Sequence, residues 1–448
     1  MPFSPLAFFR TGPDQPQRPL DPPELRKVYE SIRLRAFLAI TIGYGFFYIC
    51  RLSFSVAKKP MLDAGVLDAK QMGQIGSALL FAYAFGRFTN GFLADRSNIK
   101  RFMTLGLVVS AVLNLGFGLT SSFLLFVVLW GFNGWFQSMG SAPSAVVLSQ
   151  WFSNRERGTR YGIWSLCNNI GEGLTFIGTT ALISWLGWRW GFFGPGMICL
   201  LVAVIMYRSL ADRPETYGLP PVAEYKHDLV EQRSAEVPVG TLQREVLFSG
   251  AIWVLGLSSA LMYVARYAVN NWAVLYLQEA KGYSLTAAGS IVGVNTIVGM
   301  AGVVFSGWFS DRCFGSRRNL PCFLYALLEV AALVLFYLTP PGEPWLDTLA
   351  MGMFGFAIGG LMVYLGGLMA IDVSSKRATG AAMGVIGIFS YLGAAVQDWI
   401  SGSLIQASKT MVDGVASYRF DQAFIFWISA SIVSMLLPLT IWNVRHRD

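Results

Sequence analysis

Gly91-Phe-Leu-Ala-Asp95-Arg96 has a counterpart in the second half of the chain, Gly307-Trp-Phe-Ser-Asp311-Arg312. Two arginines inside long apolar stretches, Arg51 and Arg266, are separated by almost the same interval as these two strings. The shared offset predicts two related halves, each carrying one arginine within an apolar stretch. Because a charge inside a membrane segment is costly unless a partner offsets it, the matched arginines indicate one shared anionic ligand.

The composition is that of a protein that crosses a membrane many times. Of 448 residues, 54% are hydrophobic and 13% are charged, and the mean hydropathy is +0.50. Soluble domains rarely combine these values. Twelve apolar runs are predicted to form transmembrane helices, because each approaches the roughly 20 residues that cross a bilayer. Their centres lie near residues 45, 84, 110, 135, 170, 199, 263, 297, 330, 358, 391 and 432.

The distribution of lysine and arginine predicts the orientation, since cytoplasmic loops carry an excess of both. With both termini inside, the inner segments hold 24 of the 34 basic residues, and Arg51, Arg87 and Arg266 lie inside spans. The outer loops are assigned the remaining seven: Lys58, Lys59, Lys70, Arg189, Lys281, Lys409 and Arg419. Both termini are therefore predicted to be cytoplasmic, in a cell (inner) membrane. The net charge of +8 follows from this bias and gives no reason to invoke nucleic acid.

The order of segments predicts two six-helix bundles joined by a polar linker. Residues 211–246 mix prolines with charges, as a cytoplasmic connection does. The predicted divisions are a cytoplasmic segment 1–33, bundles 34–210 and 247–443, and a cytoplasmic tail 444–448. Repeated halves in membrane proteins place a ligand site at their interface near mid-membrane, which favours a transporter.

No metal or cofactor is predicted. The only histidines are His227 and His446, in the linker and the tail, and no Cys/His cluster has ligand spacing. The five cysteines form no paired framework. The N-terminal thirty-odd residues lack the apolar core of a signal peptide, so the first span is expected to direct insertion.

Arg51 and Arg266 are the candidate anion ligands. A guanidinium donates paired hydrogen bonds to two oxygens and stays charged, which suits phosphate. Two other interpretations stay open: either arginine snorkels to the outer surface, or each pairs with a membrane acid such as Asp398. Arg87 is a third cation within a span, and it either encloses the anion together with Arg51 or pairs with Glu172 or another acid.

Glu172 lies one helical turn after Asn168, so the two side chains can share a face. Hydroxyl recognition, charge balance for Arg87 and proton exchange are all open roles for Glu172. Among the aromatic residues, Tyr48, Tyr263 and Tyr267 lie within a turn of the arginines and are candidates to contact the ligand. The many glycines within spans are predicted mainly to let helices approach closely.

The duplicated Gly-x-x-x-Asp-Arg string, at the end of the second span of each half, resembles the signature of the major facilitator superfamily. The resemblance implies an all-α fold of twelve transmembrane helices in two pseudo-symmetric six-helix bundles. It also implies that Asp95, Arg96, Asp311 and Arg312 are conformational latches that tie helix ends together on the cytoplasmic side.

Within that superfamily the chain resembles the organophosphate:phosphate antiporter family, which includes hexose-phosphate and glycerol-phosphate exchangers and their sensor relatives. The motifs that carry this resemblance are Phe47-Tyr-Ile-Cys-Arg51, Asp95-Arg-Ser-Asn98, Gly134-Trp-Phe-Gln-Ser-Met-Gly140, Arg155-Glu-Arg-Gly158, Arg266-Tyr267, Tyr391-Leu-Gly-Ala-Ala395 and the start of the linker, Asp212-Arg-Pro-Glu-Thr-Tyr-Gly-Leu-Pro-Pro221. Two positions differ from the family pattern, since Arg87 stands where many members have lysine and Asn168 where many have histidine.

The resemblance implies that Arg51 and Arg266 bind the phosphoryl group and that inorganic phosphate drives exchange of a sugar or glycerol phosphate. Empty arginines that face each other repel, so closure is expected mainly when a ligand is bound, which gives obligatory exchange. The candidate ligand contacts beyond these two are Arg87, Tyr48, Asn168, Glu172, Tyr263, Tyr267 and Asp398.

Two alternative functions are considered. One is a receptor for external hexose phosphate that signals to a membrane kinase, as some relatives do. The other is a proton-coupled carrier of a neutral solute that relies on Glu172 and Asp398. A soluble-type enzyme is not predicted, because the polar residues are dispersed through the spans and form no nucleophile, base or metal arrangement.

Overall fold

A computed structural model describes residues 9–95, 97–226, 239–314, 318–373, 379–412 and 415–442, and most of these residues are helical. The first half contains α1 Pro22–Asp63, α2 Ala69–Asp95, α3 Ile99–Leu119, α4 Phe123–Gln137, α5 Ser141–Trp151, α6 Asn154–Leu174, α7 Thr180–Leu186 and α8 Trp190–Ser209. Two shorter helices follow, α9 Val222–Tyr225 and α10 Val239–Phe248. The second half contains α11 Gly250–Glu279, α12 Leu285–Phe314, α13 Asn319–Leu338, α14 Pro344–Val363, α15 Met369–Val373, α16 Thr379–Ala407 and α17 Asp421–Leu436.

Each of the twelve predicted centres lies within one of these helices. In the part of the chain that the structure describes, nine helical segments are long and apolar enough to cross a membrane. The other three predicted spans are α2, the pair α4 and α5, and the pair α6 and α7. These segments are either rich in polar residues or interrupted, so the count of twelve is only partly confirmed.

Three of the predicted spans are interrupted within their length. Residues 138–140 separate α4 from α5, and a methyl group at Gly140 would meet the ring of Tyr44 in α1. A π-helical turn, Thr175–Thr179, separates α6 from α7, and a second one, Tyr364–Leu368, joins α14 to α15. Turns of this kind often occur beside functional sites, and the first begins shortly after Glu172.

Glycines allow several helices to pack with their backbones in direct contact. A methyl group at Gly134 in α4 would overlap the Leu79 carbonyl of α2. In the second half, Gly302 in α12 packs in the same way against the backbone of Phe356 in α14. Small residues give helices in lipid the close van der Waals contact that holds them together.

The segments before α1 and after α8 meet at one end of the helices, which we call the tail face. Its contacts include a hydrogen bond from Asn98 N to Phe9 O of 2.6 Å and one from Arg18 N to Gly218 O of 2.9 Å. The other end, where α1 ends, α2 and α12 begin and α11 and α16 end, is called the opposite face. A two-stranded hairpin, β1 Thr410–Val412 with β2 Val415–Ser417, also belongs to the opposite face.

The two halves meet where α2 lies along α16, α1 packs against α11, and α6 and α7 pack against α12. Many of the polar contacts between them lie toward the opposite face. Ser55 Oγ lies 3.1 Å from Asn271 Oδ1, Ser77 Oγ donates to Ala395 O at 2.7 Å, and Ala69 N donates to Gln406 Oε1 at 3.1 Å. The opposite face is therefore closed in this structure.

Candidate functional site

Arg51 and Arg266 lie at matching depths in equivalent helices. Arg51 precedes the end of α1 at Asp63 by about the same distance as Arg266 precedes the end of α11 at Glu279. With a rise of about 1.5 Å per residue, both lie about 18–20 Å from the opposite face. Both are buried, with 4% and 6% of their surface exposed. This agrees with the two-fold repeat read from the sequence.

The Arg51 guanidinium is buried without a hydrogen bond. Within the described residues, none of its three nitrogens has a hydrogen-bond partner. Its contacts are aromatic, because Cζ lies 4.6 Å from the centroid of the Tyr48 ring and 4.2 Å from that of Tyr83. A ring face attracts a cation more weakly than an anion does. The guanidinium of Arg51 therefore remains able to bind an anion.

Arg266 has a partner from the other half of the protein. Its Nη2 donates to Glu172 Oε1 at 3.0 Å, and both side chains are almost completely buried. Glu172 also interacts electrostatically with Arg51. Glycines allow α6 to pack directly against α1, since a methyl group at Gly171 would overlap the Gly45 carbonyl. One carboxylate from the first half thus pairs with Arg266, while its interaction with Arg51 is electrostatic only.

Of the roles left open for Glu172, charge balance for Arg87 does not hold in this structure. Glu172 pairs with Arg266 because the close contact of α6 with α1 directs it toward α11. Arg87 lies nearer the tail face on α2, is exposed, and has its Cζ 5.4 Å from the Tyr391 ring centroid. Arg87 also lies close to Gly387 of α16, so it is at the interface between the halves.

Tyrosines from both halves connect the three arginines. Arg266 lies over the rings of Tyr263 and Tyr267, at 5.4 and 5.7 Å. Tyr391 of α16 contacts both of these rings and also the ring of Tyr83, with centroids 4.7–6.1 Å apart. Tyr48, Tyr263 and Tyr267 lie against the arginines as the sequence predicted, and their contact with a ligand stays a prediction. Tyr83 and Tyr391 of the same cluster were not predicted, although Tyr391 begins one of the family motifs.

Asn168 is half-buried, and its Oδ1 accepts a long hydrogen bond from Cys167 Sγ at 3.6 Å. It lies on the tail-face side of Glu172, because α6 runs from the tail face toward the opposite face. Its contact with a ligand stays a prediction.

Asp398 does not pair with either central arginine, which corrects one of the interpretations left open above. Its Oδ1 accepts a 2.5 Å hydrogen bond from Trp272 Nε1 and lies 3.7 Å from Lys58 Nζ. Lys58 and Lys59 are not loop residues either, since α1 continues to Asp63 despite Pro60. A small cavity between the halves is lined by both Arg51 and Asp398.

The predicted latch is described only in part. Asp95 is the last residue of α2, and Asp311 and Arg312 belong to the last turn of α12. Residue 96 and the side chains of Asp95 and Asp311 lie outside what the structure describes, and Arg312 is exposed. All three described positions are at the tail face.

The model of the Major Facilitator Superfamily matches residues 40–397 of the chain. The chain is 33% identical to a probable hexose phosphate transport protein of Chlamydia pneumoniae, with 95% of this chain and 94% of that protein covered. It is 32% identical to the glycerol-3-phosphate transporter of Bacillus subtilis, with 99% of each covered. It is also 33% identical to the membrane sensor protein UhpC of Escherichia coli, with 98% of this chain and 99% of that protein covered.

Among solved structures, the fold is similar to that of a bacterial homolog of the human lysosomal transporter Spinster in an inward-facing, unoccupied conformation. The TM-score is 0.76 at 17% identity, and the match covers 93% of this chain and 99% of that one. This likeness supports the fold and carries no information about the ligand.

Proposed function

Because the chain belongs to the Major Facilitator Superfamily and, within it, to the organophosphate:phosphate antiporter family, we propose a transport mechanism built on Arg51 and Arg266. The protein is a multi-pass membrane transporter of a phosphorylated organic anion, a hexose phosphate such as glucose 6-phosphate or glycerol 3-phosphate. It exchanges this anion for inorganic phosphate by alternating access and carries out no covalent chemistry.

The observation that carries the assignment is the Arg51 guanidinium, which has no hydrogen-bond partner among the described residues. A buried charge without a hydrogen-bonded partner strongly destabilises a protein. Such a charge is retained where a ligand supplies the missing partner. Arg51 belongs to the first half, while Arg266, at the same depth, belongs to the second. A phosphate dianion that accepts hydrogen bonds from both guanidinium groups joins the halves, and its release lets them separate.

Alternating access accounts for the closed opposite face and for the exposure of Arg87 toward the tail face. A ligand shifts such an equilibrium only through its different affinity for the two states. Phosphate bound between Arg51 and Arg266 stabilises the occluded conformation through which the protein passes between its two open states. Arg87, on the side that is open here, attracts the anion toward the two central arginines.

The orientation follows from the bias of basic residues toward the tail face. Both termini are cytoplasmic, the membrane is the cell (inner) membrane, and the opposite face is external. The bundles comprise residues 34–210 and 247–443, with 211–246 as the cytoplasmic linker. Asp95, Asp311 and Arg312 at the cytoplasmic ends of α2 and α12 act, together with Arg96, as the latch that stabilises the state closed to the cytoplasm.

The similarity to a membrane sensor protein supports a second candidate function, a receptor for an external hexose phosphate. A receptor needs the same anion site, so the arginines do not separate the two functions. They differ in turnover, because a receptor binds the sugar phosphate without exchanging it at a comparable rate.

Counterflow in proteoliposomes tests the assignment. Purified protein in vesicles preloaded with phosphate is challenged with labelled phosphate, glucose 6-phosphate, glycerol 3-phosphate and free glucose. We expect exchange with the phosphorylated compounds only. Arg51→Lys and Arg266→Lys are expected to lose at least about tenfold in kcat/KM, because lysine lacks the paired donors.

The matched control is Arg419→Lys. Arg419 is an exposed arginine whose Nη2 lies 2.9 Å from Asp421 Oδ2, away from the site, and this variant should exchange normally. Near-normal exchange by Arg51→Lys would overturn the site. Saturable binding of one sugar phosphate by wild-type protein that shows no exchange would favour the receptor.

A further inference from the structure

Lys58 is buried at the interface, and its closest contacts come from the other half. Its side chain is 1% exposed, as is that of Asp398, whose Oδ1 lies 3.7 Å from Lys58 Nζ. Nζ also lies 3.4 Å from the centroid of the Trp272 ring. Within the described residues it has no hydrogen-bond partner. An ammonium has three donors, and burying them unsatisfied is costly.

Lys58 and Arg51 lie on the same face of α1. They are seven residues apart, which is almost two full turns, so Lys58 lies about 10 Å nearer the opposite face. The cavity that Arg51 lines extends to Asp398, the partner of Lys58, and also contacts Ser55 one turn after Arg51. Lys58 therefore lies between the external surface and the central arginine.

Opening of the opposite face changes the surroundings of Lys58 more than those of its neighbour Lys59. Asp398 and Trp272 belong to α16 and α11 and move away from α1 with the second half. Lys59 bonds Glu279 of α11 at 2.5 Å but also Asp63 of α1 itself at 2.7 Å. Lys59 consequently keeps a carboxylate in both states, whereas Lys58 loses the only one that it contacts among the described residues.

We propose that Lys58 is a second anion site, which binds inorganic phosphate or the phosphoryl group of the substrate when the opposite face is open. Asp398 occupies this site in the present state, because a carboxylate and a phosphate oxygen accept the same charge-assisted hydrogen bond from an ammonium. An anion from outside binds Lys58 first, moves two turns along α1 to Arg51, and leaves Lys58 to Asp398 as the face closes. This inference rests on the proposed alternating-access function.

The test compares affinity at the two faces. Right-side-out and inside-out vesicles containing the full-length protein are used to measure the half-saturating concentration of inorganic phosphate for exchange from each side. For Lys58→Gln we expect a rise of about tenfold at the opposite face and a change within about twofold at the tail face. Lys59→Gln should stay within about twofold at both faces, and Lys58→Arg, which keeps the charge, should retain the wild-type value.

Asp398→Asn separates an anion site from a simple lock between the halves. If the pair only locks the closed face, Lys58→Gln and Asp398→Asn break the same contact and shift the two half-saturating concentrations in the same direction. If Lys58 binds the anion, Asp398→Asn removes its competitor and lowers the value at the opposite face while Lys58→Gln raises it. Equal shifts by both variants, or no face-selective change, would overturn the inference.

The proposed function is judged separately in the same vesicles. Wild-type protein that does not exchange phosphate, or exchange that survives Arg51→Lys, would reject the transport site itself. Normal wild-type exchange that depends on Arg51, together with an unchanged Lys58→Gln profile, would reject only the second anion site.

Discussion

Glu172 and Arg266 form an ion pair across the two halves, with 3.0 Å between Oε1 and Nη2. The pair leaves Arg51 as the unpaired member of the two central arginines in the described structure. The expected repulsion between two empty arginines is therefore reduced, because a carboxylate already neutralises one of them. A phosphoryl group that reaches Arg266 has to share it with Glu172 or displace it.

Glu172→Gln is expected to strengthen phosphate binding. The incoming anion no longer competes with a carboxylate for Arg266, and a hydrogen bond between charged groups contributes about 1.5–3 kcal/mol. The half-saturating concentration for phosphate exchange should fall by about tenfold, and maximal exchange should slow because release is slower.

Glu279→Gln is the control for this variant, because it breaks a different ion pair between the halves, that with Lys59. It should leave phosphate affinity unchanged. Equal effects of the two variants would mean that Glu172 acts on the balance between open states and does not compete with the ligand.

Arg51→Met is expected to stabilise the empty protein and to abolish phosphate binding. The substitution removes a buried charge that has no hydrogen-bonded partner among the described residues, and even buried charges that are paired can often be replaced by apolar residues with a gain of about 1–4 kcal/mol. Thermal unfolding in detergent should therefore show a higher midpoint than wild type without ligand. Phosphate should raise the midpoint of wild type and leave that of the variant unchanged.

Arg189→Met serves as the comparison for the thermal experiment. Arg189 is exposed and bonds Ser121 Oγ at 3.2 Å. This variant should gain no stability and should keep the phosphate-induced shift. A lower midpoint for Arg51→Met would show that Arg51 is needed to hold the fold.

The repeat in the sequence was sufficient to predict the central arginines. The offset that Arg51 and Arg266 share with the duplicated strings reappears as nearly equal depth in α1 and α11. The reason is physical, because a duplicated helix places equivalent residues at the same height in the membrane. The partner of Glu172 could not be read in this way, since Arg87 and Arg266 were both plausible until the packing of α6 against α1 was known.

Lys58 shows a different limit of the sequence. The string Lys58-Lys59-Pro60 has the composition of a loop, and it was assigned to one. Its burial depends on Asp398 and Trp272, both in the second half of the chain, which supply a carboxylate and a ring face. A pattern along one helix cannot reveal a counter-ion that only the other half of the protein provides.

Tyr391 is expected to hold the tyrosine cluster through its ring. It contacts Tyr83 of the first half as well as Tyr263 and Tyr267 of its own. Tyr391→Ala should raise the KM for organophosphate by at least about tenfold, because it removes the ring that spans the interface. Tyr391→Phe keeps the ring and should retain most of the affinity in the same exchange assay. Equal losses in both variants would assign the effect to the hydroxyl group.

Gly76→Ala is expected to prevent the opposite face from closing. Gly76 of α2 packs directly against the Asp398 carboxylate, and an added methyl group would overlap that carboxylate. In the alternating-access mechanism proposed for this protein, α2 and α16 separate at this point when the opposite face opens, so the clash should hold the protein open to that face. Phosphate exchange should fall by at least about tenfold, as expected if the closed state is destabilised by about 1.4 kcal/mol or more.

The position of the equilibrium can be measured with a cysteine at Ser77, which is buried and bonds the Ala395 carbonyl in the closed face. Cys313 is exposed and is replaced by serine beforehand. Gly76→Ala should increase labelling at position 77 by a membrane-impermeant thiol reagent. Gly384→Ala on α16 has no atoms within 4 Å of its added methyl group and should change neither labelling nor exchange. Normal exchange by Gly76→Ala would show that this contact does not have to form during transport.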